Sequence, residues 1–151
     1  MDLREFLFGS ERENLGVYRP ILKEIQSGSC FYCEKPIHGP GDIDHFIPWT
    51  RYPIDLGHNF VLAHTDCNRH KRDYLAAEDH LEHCLRRNAE WPNQLRNFYE
   101  EKGILNNVTT SVQITKWAYE TAELSRAQVW VKNNEIRPIS SNWRNLFSGS
   151  L

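Results

Sequence analysis

The pattern of apolar and polar positions predicts a mixed chain that begins with a short helix and a strand. Apolar residues recur at helical intervals from 18 to 25, Pro20 fits a first helical turn, and Gly28 suits a helix end. Residues 42–47 alternate polar and apolar side chains, as a half-buried strand does, and Pro48 ends the run. We therefore expect a helix, a turn-rich segment and then a strand.

A second strand and a helix should follow after a polar loop. Residues 59–63 form a compact, mostly apolar run that predicts a strand. Either Thr65 or Asp66 is then expected to cap a helix that carries residues 68–73. The predicted order is strand, loop, strand, helix.

The second half of the chain has a helical pattern. Leu81 and Leu85 share one face, Pro92 breaks that helix, and Gly103 closes the next one. A further helix is predicted from about residue 110 to 126. We expect its buried stripe to consist of Ile114, Trp117, Thr121 and Leu124. Residues 129–131 favour a strand, and the segment from Ser140 has no regular pattern.

Length and charge limit the classes of protein to consider. A chain of 151 residues is the size of one ordinary domain. A formal net charge of -2 is not typical of a protein that coats nucleic acid, so binding of that kind must be local, as at the basic cluster 69–72. No apolar run approaches the roughly 20 residues that cross a bilayer, and no secretion signal is evident. We expect a cytoplasmic protein with no membrane partner.

Two pairs of metal-ligand residues share the same two-residue gap. Cys30 and Cys33 form one pair, and His64 and Cys67 form the other. Disulfides are rare in a reducing cytosol, and thiolates with an imidazole can close a tetrahedral structural zinc site. His70 has the same spacing from Cys67 and competes for the fourth position. We favour His64, because His70 should lie about one turn further along the helix.

Catalytic residue types lie between and beside these pairs. Asp44 offers a hard oxygen that suits magnesium, and the amide of Asn68 can add a second. His45 can accept a proton from water near neutral pH, as a general base does. Neighbours on an ideal strand point to opposite faces, so Asp44 and His45 converge only if the strand is bulged between Gly41 and Pro48. We expect the strand to bend there, with an irregular or bulged edge.

The segment from Cys30 to Lys71 resembles the HNH endonucleases, a branch of the ββα-metal nucleases. The matching motif reads Asp44-His45-Phe46-Ile47-Pro48, Asn59-Phe60-Val61-Leu62 and Cys67-Asn68-Arg69-His70-Lys71. The resemblance implies an α+β fold in which a zinc-stapled ββα-metal core, about 28–75, is embedded in a mainly helical single domain, 1–151. An N-terminal helical arm, 1–27, and a C-terminal helical extension, 76–151, would flank the core.

The resemblance also assigns roles. His45 would activate the attacking water, Asp44 and Asn68 would hold one Mg²⁺ (or Mn²⁺), and Asn59 would brace the loop between the strands. Asn68 stands where many members have histidine, and His64 replaces a commoner cysteine. The implied reaction is phosphodiester hydrolysis that leaves a 5′-phosphate and a 3′-hydroxyl, with the metal stabilising the growing negative charge.

Basic side chains near the motif would contact the phosphate backbone of the substrate. The candidates for these contacts are Arg51, Arg69, Lys71 and Arg72. We expect DNA as the partner, with RNA left open, and a homodimer or a protein partner could use the C-terminal helices. A zinc-stabilised nucleic-acid-binding module that cuts no bond and a toxin-like nuclease acting on RNA remain alternatives.

Overall fold

The computed structural model describes residues 15–53 and 55–147. Its helices are α1 (Arg19–Ile25), α2 (Thr65–Lys71), α3 (Glu78–Glu90), α4 (Pro92–Glu101) and α5 (Val108–Leu124). Its strands are β1 (Asp42–His45), β2 (Phe60–Ala63), β3 (Leu75–Ala76), β4 (Gln128–Lys132) and β5 (Glu135–Pro138). Short 3₁₀ segments span Leu15–Tyr18, Gly57–Asn59 and Ser141–Phe147. Residues 1–14, half of the expected N-terminal arm, lie outside the described part.

The strands form two small sheets. β1 and β2 pair antiparallel, with Asp42 opposite Ala63 and His45 opposite Phe60. β3 pairs parallel with β4, and β4 pairs antiparallel with β5. Helices make up 52% of the described residues and the sheets are small, which confirms the predicted α+β class. None of the described helices has the length and apolarity needed to span a bilayer.

The predicted strand, strand, helix order is present from β1 to α2. Local signals in the sequence explain where α1 begins and ends. Pro20 lies in the first turn of α1, and Gly28, with φ of 73°, lies beyond its end. The N-cap of α2 is His64, whose side chain makes no capping bond. The prediction that Thr65 or Asp66 caps the helix is therefore wrong. The Thr65 hydroxyl instead donates to Asp42 Oδ1 at 3.0 Å, which ties the start of α2 to β1.

Two hydrophobic clusters support this unit from both sides. One cluster unites the ligand turn (residues 30–33), the bend after β1 and part of β2 with the C-terminal half. Its largest members are Phe31, Phe46, Tyr119, Trp130 and Trp143. The other packs α1 and α4 against β2 through Tyr18, Leu22, Phe60, Leu95 and Tyr99. The hairpin is therefore covered by residues from both ends of the described chain.

The buried guanidinium of Arg87 joins α3 to β2. Arg87 is 3% exposed and donates to the carbonyl oxygens of Phe60 at 2.6 Å and His58 at 2.7 Å. It also donates to Asn88 Oδ1. These bonds fix the backbone on either side of Asn59, so Arg87 supports the hairpin from inside the fold.

The buried face of α5 differs from the predicted stripe. Trp117 is 48% exposed and Leu124 is 84% exposed, so that prediction is wrong. The buried positions are Ser111, Thr115, Ala118, Tyr119 and Ala122. Small side chains allow close approach, and the Tyr119 hydroxyl donates to the carbonyl oxygen of Ala76 at 2.6 Å. That hydrogen bond orients the helix with Tyr119, rather than Trp117, facing the core.

Candidate active site and metal centre

Four predicted ligands meet at one point of the fold. One ligand atom from each of Cys30, Cys33, His64 and Cys67 lies within 4.8 Å of the other three. Cys30 and Cys33 come from a tight turn that is closed by a hydrogen bond from the Glu34 N–H to the Cys30 carbonyl. His64 precedes α2, and Cys67 lies in its first turn. This group contains His64 rather than the competing His70.

The orientation of His64 fits metal binding. Its Nδ1 lies 3.2 Å from Cys33 Sγ, and its Nε2 lies 2.9 Å from the carbonyl oxygen of Pro36. A carbonyl only accepts, so Nε2 carries the proton and Nδ1 keeps its lone pair toward the sulfurs. Histidine ligands commonly donate their second N–H to a backbone carbonyl in this way. Three sulfurs and one imidazole form a group that could bind a structural metal such as zinc.

Electrostatics within the group also favour a cation. Burial alone would raise the pKa of the Cys30 thiol, but N–H donors of Cys33 and His64 outweigh it and lower the pKa. Burial, together with the charges of the two neighbouring sulfurs, raises the pKa of Cys67. Negative sulfurs placed this close repel one another. A divalent ion between them would remove that repulsion.

Asp44 lies between two donors on the face of β1 that meets α2. Its Oδ2 accepts a hydrogen bond from the Tyr32 hydroxyl at 2.6 Å and lies 3.4 Å from Lys71 Nζ. Burial, reinforced by the charge of Asp44, raises the pKa of Tyr32 well above its usual value. Tyr32 therefore stays protonated and donates. Sequence reasoning missed Tyr32 because it lies in the ligand turn, twelve positions from Asp44.

Asp42 is a second acidic residue on this face that was not predicted. Asn68 Nδ2 donates to Asp42 Oδ2 at 3.1 Å, which turns the amide oxygen of Asn68 away from that carboxylate. The regular register places Asp42 and Asp44 on the same face of β1. Asp44 and Asn68 thus lie on facing elements, each held by its own partners. The alternation at 42–44 was a signal that could have revealed Asp42.

His45 leaves β1 on the other face. The pairing runs without a shift from Asp42 to His45, so the expected irregular or bulged edge is absent within the strand, and Asp44 and His45 do not converge. The chain bends only afterwards, at residues 46–47. His45 Nε2 lies 2.6 Å from Asp55 Oδ1, and the imidazole packs against the Phe60 ring with centroids 4.9 Å apart. The ring is therefore fixed at the end of the strand.

Asn59 bridges the two sides of the β1–β2 loop. Its Oδ1 accepts from the Ile47 N–H at 2.7 Å, and its Nδ2 donates to the Ile47 carbonyl at 2.9 Å. Its own carbonyl accepts from the Phe46 N–H at 2.8 Å. These three bonds hold the bend that follows His45, where the resemblance implied a bracing residue.

The four basic candidates differ in exposure. Arg69 and Arg72 are exposed and Arg51 is half-buried. Lys71 is 0% exposed, and its Nζ donates to the His45 carbonyl at 3.2 Å. The expected surface contact of Lys71 with phosphate does not agree with this burial. Its ammonium is directed inward because it pairs with Asp44 and a backbone carbonyl.

The site is a paired-strand and helix unit that carries a carboxylate, a held imidazole and a sulfur-rich ligand group. Residues 30–77 match the family model described as HNH endonuclease. The matched segment contains all four candidate metal ligands, both strands of the hairpin and α2, which confirms the resemblance. The match supports a nuclease of the HNH type, a family whose substrate is nucleic acid. Comparisons with curated proteins and with solved structures gave no match.

Proposed function

We propose that this protein is an HNH endonuclease that hydrolyses phosphodiester bonds of DNA. His45 is the general base, and Asp44 and Asn68 hold a single Mg²⁺ or Mn²⁺. The products are a 5′-phosphate and a 3′-hydroxyl. The observation that carries the proposal is that the matched segment contains an immobilised imidazole next in sequence to a carboxylate that faces α2.

The donor chemistry at Asp44 supports a hard cation. Carboxylate and amide oxygens are ligands that Mg²⁺ accepts, together with waters and phosphate oxygens. Tyr32 and Lys71 both contact Oδ2 of Asp44, which favours Oδ1 for the metal. The bond to Asp42 likewise orients the amide of Asn68, with its oxygen directed elsewhere. When bound, Mg²⁺ would polarise the phosphoryl group and stabilise negative charge in the transition state.

His45 takes one proton from the attacking water. The water oxygen forms a bond to phosphorus, the bond from phosphorus to the 3′ oxygen breaks, and that oxygen takes a proton from solvent. His45 then releases its extra proton to solvent. The Phe60 ring and the Asn59 bridge support this role because they hold the imidazole and the bend after it in one position.

The strand geometry restricts how a substrate can approach. Asp44 and His45 leave β1 on opposite faces, and the chain bends directly after them. A phosphodiester that meets both side chains must therefore lie across the end of the strand. Arg51, Arg69 and Arg72 are the proposed backbone contacts, since phosphate contacts position a duplex without reading its sequence. Lys71 supports Asp44 from inside.

Plasmid nicking with and without Mg²⁺ tests the proposal. We expect wild type to nick, and His45→Ala and Asp44→Ala to lose activity while both keep a zinc content near wild type. The melting temperature should stay near wild type in His45→Ala and fall in Asp44→Ala, because the buried ammonium of Lys71 loses its carboxylate. Asp79→Asn, an exposed change on α3, is the matched control and should nick normally. Equal cleavage by His45→Ala and wild type would remove His45 from the mechanism.

Substrate arms in the same assay separate the alternatives. Cleavage of RNA in preference to DNA would favour a toxin-like nuclease that acts on RNA. Binding of nucleic acid without any Mg²⁺-dependent cleavage would favour the non-catalytic zinc module. Loss of zinc in Asp44→Ala would show that the ligands had been divided wrongly between the two metals.

A further inference from the structure

The contact between His45 and Asp55 is among the shortest polar contacts in the described chain. His45 Nε2 and Asp55 Oδ1 are 2.6 Å apart, and the two side chains are 20% and 13% exposed. Asp55 belongs to the loop between β1 and β2, ten positions after His45. No pattern in the sequence links the two residues, and only the closure of that loop brings them together.

We propose that Asp55 is a positioning residue that selects the catalytic tautomer of His45, an inference that rests on the proposed function. An ionised carboxylate only accepts hydrogen bonds, so it requires the proton of the neutral ring to be on Nε2. The lone pair is then on Nδ1, the nitrogen available to take a proton from water. Without an acceptor at Nε2, either ring nitrogen can carry the proton.

The other acids of the region have different partners, which makes Asp55 the specific partner of the imidazole. Asp44 is engaged by Tyr32 and Lys71, on the opposite face of β1. Asp42 accepts from α2 through Thr65 and Asn68. Asp42 and Asp44 therefore lie on the side of β1 where the metal is proposed, while Asp55 contacts the proposed base.

Charge gives Asp55 a second effect during the reaction. When Nδ1 takes the proton from water, the ring becomes an imidazolium with a full positive charge. The carboxylate, already 2.6 Å from Nε2, attracts that charge without needing to reorganise. The proton on Nε2 stays there throughout. The preference for one tautomer and the stabilised cation both lower the barrier to turnover and leave substrate binding largely unchanged.

Asp55→Asn and Asp55→Ala test this role, with Asp79→Asn as the acid-to-amide control. We expect kcat for cleavage to fall about 100-fold in either variant, within the roughly 10²–10⁴-fold that general bases contribute, with little change in KM. In a His45→Ala background, removal of Asp55 should cause no further loss, because Asp55 acts through that ring. A further loss of similar size in the double variant would overturn the inference.

Nitrogen-15 NMR of the imidazole supplies a readout that does not require activity. Wild type should show His45 protonated on Nε2 when neutral, and Asp55→Ala should show a mixture of tautomers or the other form. Melting temperature and zinc content report whether each variant is folded. If Asp55→Ala unfolds, Asp55→Asn, which is nearly the same shape, tests the effect of the charge through kcat: wild-type kcat in that variant would overturn the proposed stabilisation of the imidazolium.

The outcomes separate the two proposals. Full activity of His45→Ala would refute the proposed function. An inactive His45→Ala, together with a folded Asp55→Ala that keeps wild-type kcat and an unchanged tautomer, would refute only the role of Asp55, because the alanine removes the acceptor.

Discussion

Acid should destabilise this protein above the pH range in which its carboxylates titrate, because His58 is buried as a neutral ring. His58 is 1% exposed, and neither ring nitrogen has a hydrogen-bond partner within the described residues. Burial, with a smaller contribution from the charge of Arg87, lowers its pKa from 6.5 to about 4. The folded state therefore resists protonation that the unfolded chain accepts freely.

The sign and size of the effect follow from this difference in pKa. The contribution of neutral His58 to the free energy of unfolding is fully present above pH 6.5. It is lost as the pH falls toward 4, because the unfolded state binds the proton first. With pKa values of 6.5 unfolded and about 4 folded, the loss is about 2 kcal/mol at pH 5 and about 3 kcal/mol at pH 4. That is a large fraction of the roughly 5–15 kcal/mol of an ordinary domain.

Urea unfolding of wild type and His58→Leu at pH 7.5 and pH 5, followed by tryptophan fluorescence, measures this loss. His80 and His83 also have pKa values lowered by burial, so both proteins should lose stability in acid. Only the difference between the two losses belongs to His58, and it should be about 2 kcal/mol. Zinc content at each pH is the control for metal release. Equal losses in the two proteins would refute the reasoning.

Three further changes should have separable effects. Cys33→Ser should release the structural metal and lower the melting temperature, because binding energy in such sites is folding energy; an unchanged melting profile with the metal absent would contradict this. Arg87→Met should cost about 3 kcal/mol in urea unfolding, because two carbonyls lose a charged donor; a loss below about 1 kcal/mol would argue against it. Tyr32→Phe should cost about 1 kcal/mol and raise the Mg²⁺ concentration needed for half-maximal cleavage, since Asp44 loses its 2.6 Å donor; an unchanged Mg²⁺ requirement would contradict the proposed metal side.

Local signals made the first half of the chain predictable. Pro20 and Gly28 mark the two ends of α1 through their own backbone restrictions. The alternation at 42–47 identifies β1 without knowledge of the fold, although the strand already ends at His45, before the bend at 46–47. The four-ligand group was equally accessible, because two pairs with the same spacing suit one tetrahedral ion. The choice of His64 over His70 needed only the position at which α2 begins.

Features that depend on distant contacts were not predictable. The buried face of α5 was misjudged because hydrophobicity favoured Trp117, whereas the hydrogen bond of Tyr119 to Ala76 sets the rotation of the helix. β3 is only two residues long and exists because β4 pairs with it. The contact of Asp55 with His45 depends on loop closure, which no periodicity records.

Because β3 pairs with β4, the matched segment 30–77 cannot be moved into another protein on its own. Leu75 and Ala76 pair with Val129 and Trp130 in a parallel ladder, and the Ala77 N–H donates to the Trp130 carbonyl at 2.8 Å. A graft that ends at residue 77 would leave these groups unpaired and expose the apolar underside of the ligand turn. Anyone transplanting this HNH segment into another scaffold would have to bring the β4–β5 hairpin with it, or design a replacement for its edge.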